Sequence, residues 1–394
     1  MLRAMLAELA TVIWISLDGV RADYLDRDPL PAFARIAAEG VRAEHLVPVF
    51  PSSTFPNHVS LATCATVERH GIVANSFVDR AKGRFDYGND ASWIDAEPMW
   101  AAAERQGVKA AAYFWVGSET PWQGIAATYK KTPFDETVTE AEKVDQILAW
   151  LDLPAAERPR LVMSWWHGAD HEGHLHGPDA PETHAAMKEQ DAQLARLLAS
   201  LDARGAWTTT TLLLVSDHGM TKQGESADPM LPLAAEGIGG RFQSGGPFGF
   251  VTLDDPARAA DAAAAIDALP GIEAWPSDAV PEAYHYRRPE RTGDVFVLAE
   301  PPLRLGGGSL MLDLRFALAD LFGRTTGSHG YDPARVPDMN GIFLAMGRGA
   351  PAGARIAPVR ALDVAPTAAR LLGIAPPRDC EGTPIGAIAP AGAD

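Results

Sequence analysis

Cysteine is close to absent from this sequence: Cys64 and Cys380 are the only two, and they lie far apart in the chain. That excludes a disulfide framework of the kind that holds small secreted domains together. Long apolar runs are missing as well, none approaching the roughly 18 residues that a membrane span needs. Basic clusters stop at the pair Lys130-Lys131, and the formal net charge is -17. Such a surface repels a nucleic-acid backbone, so long polynucleotides are not expected as partners, while small anions drawn to bound metal ions are. The stretch before Val12 is short for a secretory leader, and the run Val12 to Leu17 ends in Asp18 where a cleavage site would need small residues. A cytoplasmic location is therefore expected, or a periplasmic one where a longer precursor is trimmed.

What is present is a large apolar share, 47% of 394 residues, enough for a substantial core. The run V-I-W-I-S-L-D-G from Val12 to Gly19 is short, continuous and β-branched, as a strand buried on both faces should be. Leu161 to Trp166 and Thr209 to Ser216 read the same way, and each of the three is followed by a carboxylate: Asp18, Asp170 and Asp217. Helical segments are expected at Pro29 to Gly40, after Pro56, at Glu97 to Gln106, Thr139 to Leu151, Pro181 to Ala203 and Leu362 to Leu372. The alternation predicts an α/β fold with a mostly parallel sheet between helical layers. In such sheets ligands bind beyond the carboxyl ends of the strands, which is where the three aspartates fall. From 221 to 324 the pattern changes to Gly-rich loops and isolated strands, read as a small α+β insertion in a core of residues 1–220 and 325–394. The stretch His70 to Ile94 reads as irregular structure at the rim of a site.

Thr54 stands at the break between the extended V-F-P-S-S stretch and the helix after Pro56. The first backbone N–H groups of a helix are unpaired and favour an anion there. A threonine in this place serves equally well as a plain N-cap. The histidines widen the choice. His174 lies four residues after Asp170, His218 directly follows Asp217, and His329 sits in the small-residue loop G-S-H-G. Each alone could be a structural histidine, but carboxylate and neutral imidazole together are the ligand mixture of zinc, with other divalent transition metals tolerated. Two divalent cations against three aspartates and a threonine alkoxide leave a nearly neutral site, suited to a singly charged phosphodiester.

These motifs together resemble those of the nucleotide pyrophosphatase/phosphodiesterases of the alkaline phosphatase superfamily. The resemblance is carried by L-D-G at Leu17, T-F-P-N-H at Thr54, H-G-I-V-A-N-S-F at His70, E-P-M-W at Glu97, D-x-x-x-H-x-x-G-P at Asp170, S-D-H-G-M at Ser216 and H-G-Y-D at His329. It implies an alkaline phosphatase-like three-layer α/β/α sandwich and two zinc ions. Asp18, Thr54, Asp217 and His218 would hold one, and Asp170, His174 and His329 the other. It further implies a covalent phosphothreonine intermediate on Thr54, with Asn57 donating to a phosphoryl oxygen, and a nucleotide or other small phosphodiester as substrate. Phe55 matches the family's base-stacking aromatic, and Trp165 stands where a tyrosine is usual, either as the opposite wall or as a core residue. His167, His171 and His176 match no ligand position. Sulfatases of the superfamily need C/S-x-P-x-R, and T-x-P-x-H here excludes their formylglycine chemistry. Phosphonate hydrolysis on the same two metals, and nucleotide binding without turnover, are the remaining alternatives.

Overall fold

The computed structural model of the protein describes residues 10–306 and 326–389; the part of the expected insertion from 307 to 324 lies outside them. An eight-stranded sheet forms the centre. Across it run Ala354–Ile356, Val41–Ala43, Phe343–Gly347, Thr210–Val215, Thr11–Leu17, Leu161–Trp166, Ala110–Tyr113 and Tyr129–Lys131. Thr11–Leu17 pairs in parallel with both Leu161–Trp166 and Thr210–Val215, so the three aspartate-bearing strands are adjacent and point the same way. Phe343–Gly347 is antiparallel to its neighbours, which makes the sheet mixed but mostly parallel.

Alternation along the central strand assigns its side chains to two cores. Val12 and Trp14 pack with the helices Thr54–Thr63, Met99–Arg105 and Val364–Leu372. Ile13, Ile15 and Leu17 pack with Pro31–Glu39, Glu140–Leu151 and Pro181–Ala203. Burying both faces accounts for the unbroken apolar composition of these strands. The result is the alkaline phosphatase-like α/β/α sandwich that the motifs implied.

A second, four-stranded antiparallel sheet runs in the order Gly240–Ser244, Phe248–Leu253, Val295–Ala299, Ile272–Pro276, and we propose that it is the heart of the insertion. Its Val251, Val295 and Val297 face the helix Ala259–Asp267 in a small core. Phe248, Phe250 and Phe296 face the other way into the main core, where Phe296 meets Phe50 edge-on at 5.9 Å. The segment leading to Thr54 is thus braced by this second sheet.

Two sequence readings are corrected here. The stretch His70 to Ile94 is not wholly irregular: Ser76–Asp79 and Gly83–Asp86 form an antiparallel hairpin. It is held by buried Arg291, whose Nε donates to Asp79 Oδ2 at 2.9 Å. Cys64 and Cys380 are joined in a disulfide across 316 residues of sequence. Their separation along the chain concealed their proximity, because the C-terminal segment returns to the end of the helix that begins at Thr54; Glu381 N–H donates to the Cys64 carbonyl.

Candidate metal centre

Asp18 follows directly on the central strand, Asp217 lies two residues past Val215, and Asp170 opens the short helix Asp170–His176. The turns that carry Asp18 and Asp170 touch. Gly168 has φ +59°, and a Cβ there would sit 2.0 Å from the Asp18 carbonyl oxygen; Gly19 has φ +65°, and its Cβ would lie 2.8 Å from Asp170 Cα. Only glycine combines that conformation with so close an approach. The Asp18 carbonyl in turn accepts the Ala169 N–H at 3.0 Å.

Six of the seven expected ligands fall into two clusters, Asp18 with Asp217 and His218, and Asp170 with His174 and His329. Within each, the ligand atoms lie within 4.8 Å of one another. The seventh, Thr54, joins the first cluster: its Oγ1 is 3.2 Å from His218 Nε2. The clusters abut through the stacked rings of His218 and His329, whose centroids are 3.6 Å apart.

The three imidazoles are oriented alike. Nδ1 of His218 donates to the Gly219 carbonyl at 2.8 Å, that of His174 to Gly327 at 3.0 Å and that of His329 to Ser52 at 3.0 Å. A carbonyl only accepts, so the proton of each neutral ring sits on Nδ1, and Nε2 is left with a lone pair facing inward. His174 Nε2 and His329 Nε2 are only 3.1 Å apart, and two lone pairs at that distance cannot satisfy each other. Opposite them, Asp18 Oδ1, Asp170 Oδ1 and Asp217 Oδ2 are buried without a hydrogen-bond partner among the described residues. Such groups are costly to leave unpaired. Acceptors aimed at acceptors fit a cation, and this mixture of nitrogen and oxygen fits a divalent transition metal. Burial and mutual repulsion raise Asp18 and Asp217 well above the usual carboxylate range. Burial, helped by neighbouring imidazoles, pulls His218 well down and His329 to about 4, so both rings are neutral at pH 7.

Asn57 is bound into the turn that precedes Thr54. It is fully buried, its amide donates to the carbonyls of Pro51 and Ser53 at 2.9 and 3.0 Å, and its Oδ1 accepts from Val49 N–H at 2.7 Å. Both amide hydrogens and the carbonyl oxygen of Asn57 are thus bound to the backbone of the turn before Thr54. Asn75 is the residue that the sequence reading passed over. Its Oδ1 accepts Phe55 N–H at 2.8 Å and the Ser53 hydroxyl at 3.2 Å, so the amide is fixed beside Thr54 and remains half-exposed. The signal available was its place inside H-G-I-V-A-N-S-F.

Phe55 is largely buried, its ring edge-on to Phe85 at 5.9 Å and Tyr87 at 5.4 Å. Trp165 meets Phe134 at 5.5 Å, and its indole N–H donates to Asp18 Oδ2 at 2.8 Å, a bond that the reading as a stacking wall did not foresee. Tyr87 and Phe134 are 61% and 42% exposed, the outer aromatics on the two sides of the site. His167 is bound to Glu140 and the Glu136 carbonyl, and His176 lies near Glu172, both outside the two clusters.

A family model of type I phosphodiesterase / nucleotide pyrophosphatase matches residues 12–332. The chain belongs to that family. An uncharacterised pyrophosphatase/phosphodiesterase of Schizosaccharomyces pombe is 35% identical over 353 residues, covering 86% of this chain and 71% of the yeast protein. A bis(5'-adenosyl)-triphosphatase of Xenopus laevis is 29% identical, over 92% of this chain and 78% of its own length. Murine ectonucleotide pyrophosphatase/phosphodiesterase 5 superposes with a TM-score of 0.82 at 26% identity, over 92% of this chain and 95% of the murine one. The same murine protein was solved as an inactive threonine-to-alanine form in complex with AMP, also with a TM-score of 0.82. Among the described residues, no helix is long and apolar enough to cross a membrane.

Proposed function

We propose that this protein hydrolyses nucleotide-type phosphodiesters through a covalent phosphothreonine on Thr54, using zinc at the two clusters. The observation that carries the reading is the convergence, in two abutting clusters, of three carboxylate oxygens without a hydrogen-bond partner among the described residues and three inward Nε2 atoms, with the Thr54 hydroxyl against His218. When bound, the two ions supply positive charge to the hydroxyl and to the phosphoryl oxygens. Thr54 Oγ1 gives up its proton to solvent and forms a bond to phosphorus as the ester oxygen departs. Water then attacks the same phosphorus, the Oγ1–P bond breaks, and the hydroxyl is restored. Exposed Tyr87 and Phe134 flank the approach and offer ring faces to a base. A small nucleotide is the partner that these features and the AMP-bound relative support.

The transition-state donor is Asn75 in this reading. We expect Asn75→Ala to lower kcat by roughly 10²-fold or more, as for loss of one preorganised donor. Asn57→Ala should act on stability, lowering the urea midpoint by removing buried hydrogen bonds. Steady-state kinetics beside urea melts of both variants check this division; a large kcat loss in a fully stable Asn57→Ala protein would reverse the two assignments.

A disulfide between Cys64 and Cys380 persists where surroundings are oxidising. Our reading therefore places the working enzyme outside a reducing cytoplasm. The test of the activity is kcat/KM of zinc-loaded protein on the p-nitrophenyl ester of thymidine 5'-phosphate against p-nitrophenyl phosphate. The diester should win by orders of magnitude, because no third cation follows Thr54 in its turn to balance a dianionic monoester. Preference for the monoester would contradict the proposal.

A further inference from the structure

Lys143 has no task in the reaction just described, yet it is completely buried. A lysine is almost never buried in this way without partners. Its Nζ lies 4.6 Å from the centroid of the Trp165 ring, 3.2 Å from His167 Nδ1 and 3.5 Å from Glu140 Oε1. An ammonium over an indole face is attracted by the ring quadrupole, the more so when desolvated. Glu140 is fixed in turn, since its Oε1 accepts the His167 backbone N–H at 2.7 Å. The indole is therefore held on one face by Lys143 and met by Phe134, whose plane is inclined at 65°.

The edge of this clamped ring carries the N–H that donates to Asp18 Oδ2 at 2.8 Å. Asp18 Oδ1 is left buried and partnerless, 3.5 Å from His218 Nε2. Asp217 is treated in the same way: Gly19 N–H donates to its Oδ1 at 3.2 Å, and its Oδ2 is left partnerless. In each carboxylate one oxygen is tied to a rigid N–H and the other is turned toward the histidine.

We propose that Lys143 and Trp165 are positioning residues for a metal ion at Asp18: the ammonium fixes the plane of the indole, and the indole N–H occupies Oδ2 so that Asp18 offers Oδ1 alone. The inference rests on the preceding reading only in taking Asp18 as a ligand. It gives the tryptophan a task that a tyrosine at this position, with a differently placed donor, would not perform in the same way.

The test starts from full-length protein stripped with a chelator. Zinc is titrated in competition with a chromophoric chelator for the wild type, Trp165→Phe, Lys143→Met and Lys143→Arg, and kcat and KM on the thymidine diester are measured at saturating zinc. Trp165→Phe should weaken one of two zinc equivalents about 10- to 100-fold, the usual effect of removing a group that orients a ligand, while KM stays near the wild-type value. Lys143→Met should weaken the same equivalent by a smaller factor, and Lys143→Arg should restore it. If Trp165→Phe does not fold, the Lys143 pair decides: equal zinc affinity in Met and Arg variants overturns the proposal. Unchanged zinc binding with a raised KM in Trp165→Phe overturns it as well, and assigns the ring to the substrate. A wild type that takes up no zinc defeats the metal reading itself, which the variants alone would not do.

Discussion

Thr54→Ala should lose on the order of 10⁴-fold or more in kcat on the thymidine diester, the scale seen when a nucleophile is deleted from an otherwise intact site. The hydroxyl is half-exposed at the first turn of its helix and touches only His218 Nε2 among the described side chains. In zinc-loaded protein the ion would take up the lone pair of buried His218 Nε2, so removing the hydroxyl leaves that atom partnered, and the loaded variant should melt within about 0.5 kcal/mol of the wild type, as for a surface substitution. Loss of activity without loss of stability separates a nucleophile from a helix cap, whose removal costs about 1 kcal/mol of stability. The backbone agrees with the first role, because the cap position is Ser53 and Thr54 is the first helical residue.

Removal of metal should be nearly as damaging. Charge supplied to the phosphoryl oxygens is worth several kcal/mol; taking about 4 kcal/mol, chelation lowers kcat/KM roughly 10³-fold. Zinc should restore it in proportion to occupancy up to two equivalents. Stability offers an independent readout. In stripped protein, burial and mutual repulsion hold Asp18 and Asp217 well above the ordinary carboxylate range. A carboxyl whose folded pKa is raised contributes stability that is full below its unfolded pKa and is lost as pH rises through the folded value. The urea midpoint of stripped protein should therefore fall as pH climbs above the ordinary carboxylate range, and zinc should abolish the fall. Urea melts of stripped and loaded protein across that range check it; parallel curves would mean that the two acids carry no such burden.

The parts of this site that were legible in the sequence are those that a strand delivers. Asp18, Asp170 and Asp217 each follow a short apolar run, and adjacent parallel strands bring their ends together whatever the loops do. His218 came with Asp217, and His174 with Asp170 through helical spacing. His329 was legible only through its motif, since the loop that carries it is located by Ser52, whose hydroxyl and carbonyl bind Gly330 N–H and His329 Nδ1. The two asparagines show where local reading fails. Asn57 and Asn75 flank the same turn, and which is spent on backbone carbonyls depends on how residues 49–53 fold back over the helix. The hairpin at Ser76–Asp86 could have been found, because S-F-V-D and G-R-F-D alternate with period two around a short turn. The disulfide could not, because nothing in residue type or spacing tells that Cys380 returns to the helix end at Cys64.

The most direct test of the central claim is to mix zinc-loaded protein with excess thymidine diester, quench in acid within the first turnovers, and map the digest by mass. A nucleotidyl group on the peptide containing Thr54, absent from Thr54→Ala, is the expected result. Rapid turnover with no adduct on that peptide, or an adduct on another residue, would contradict a threonine nucleophile.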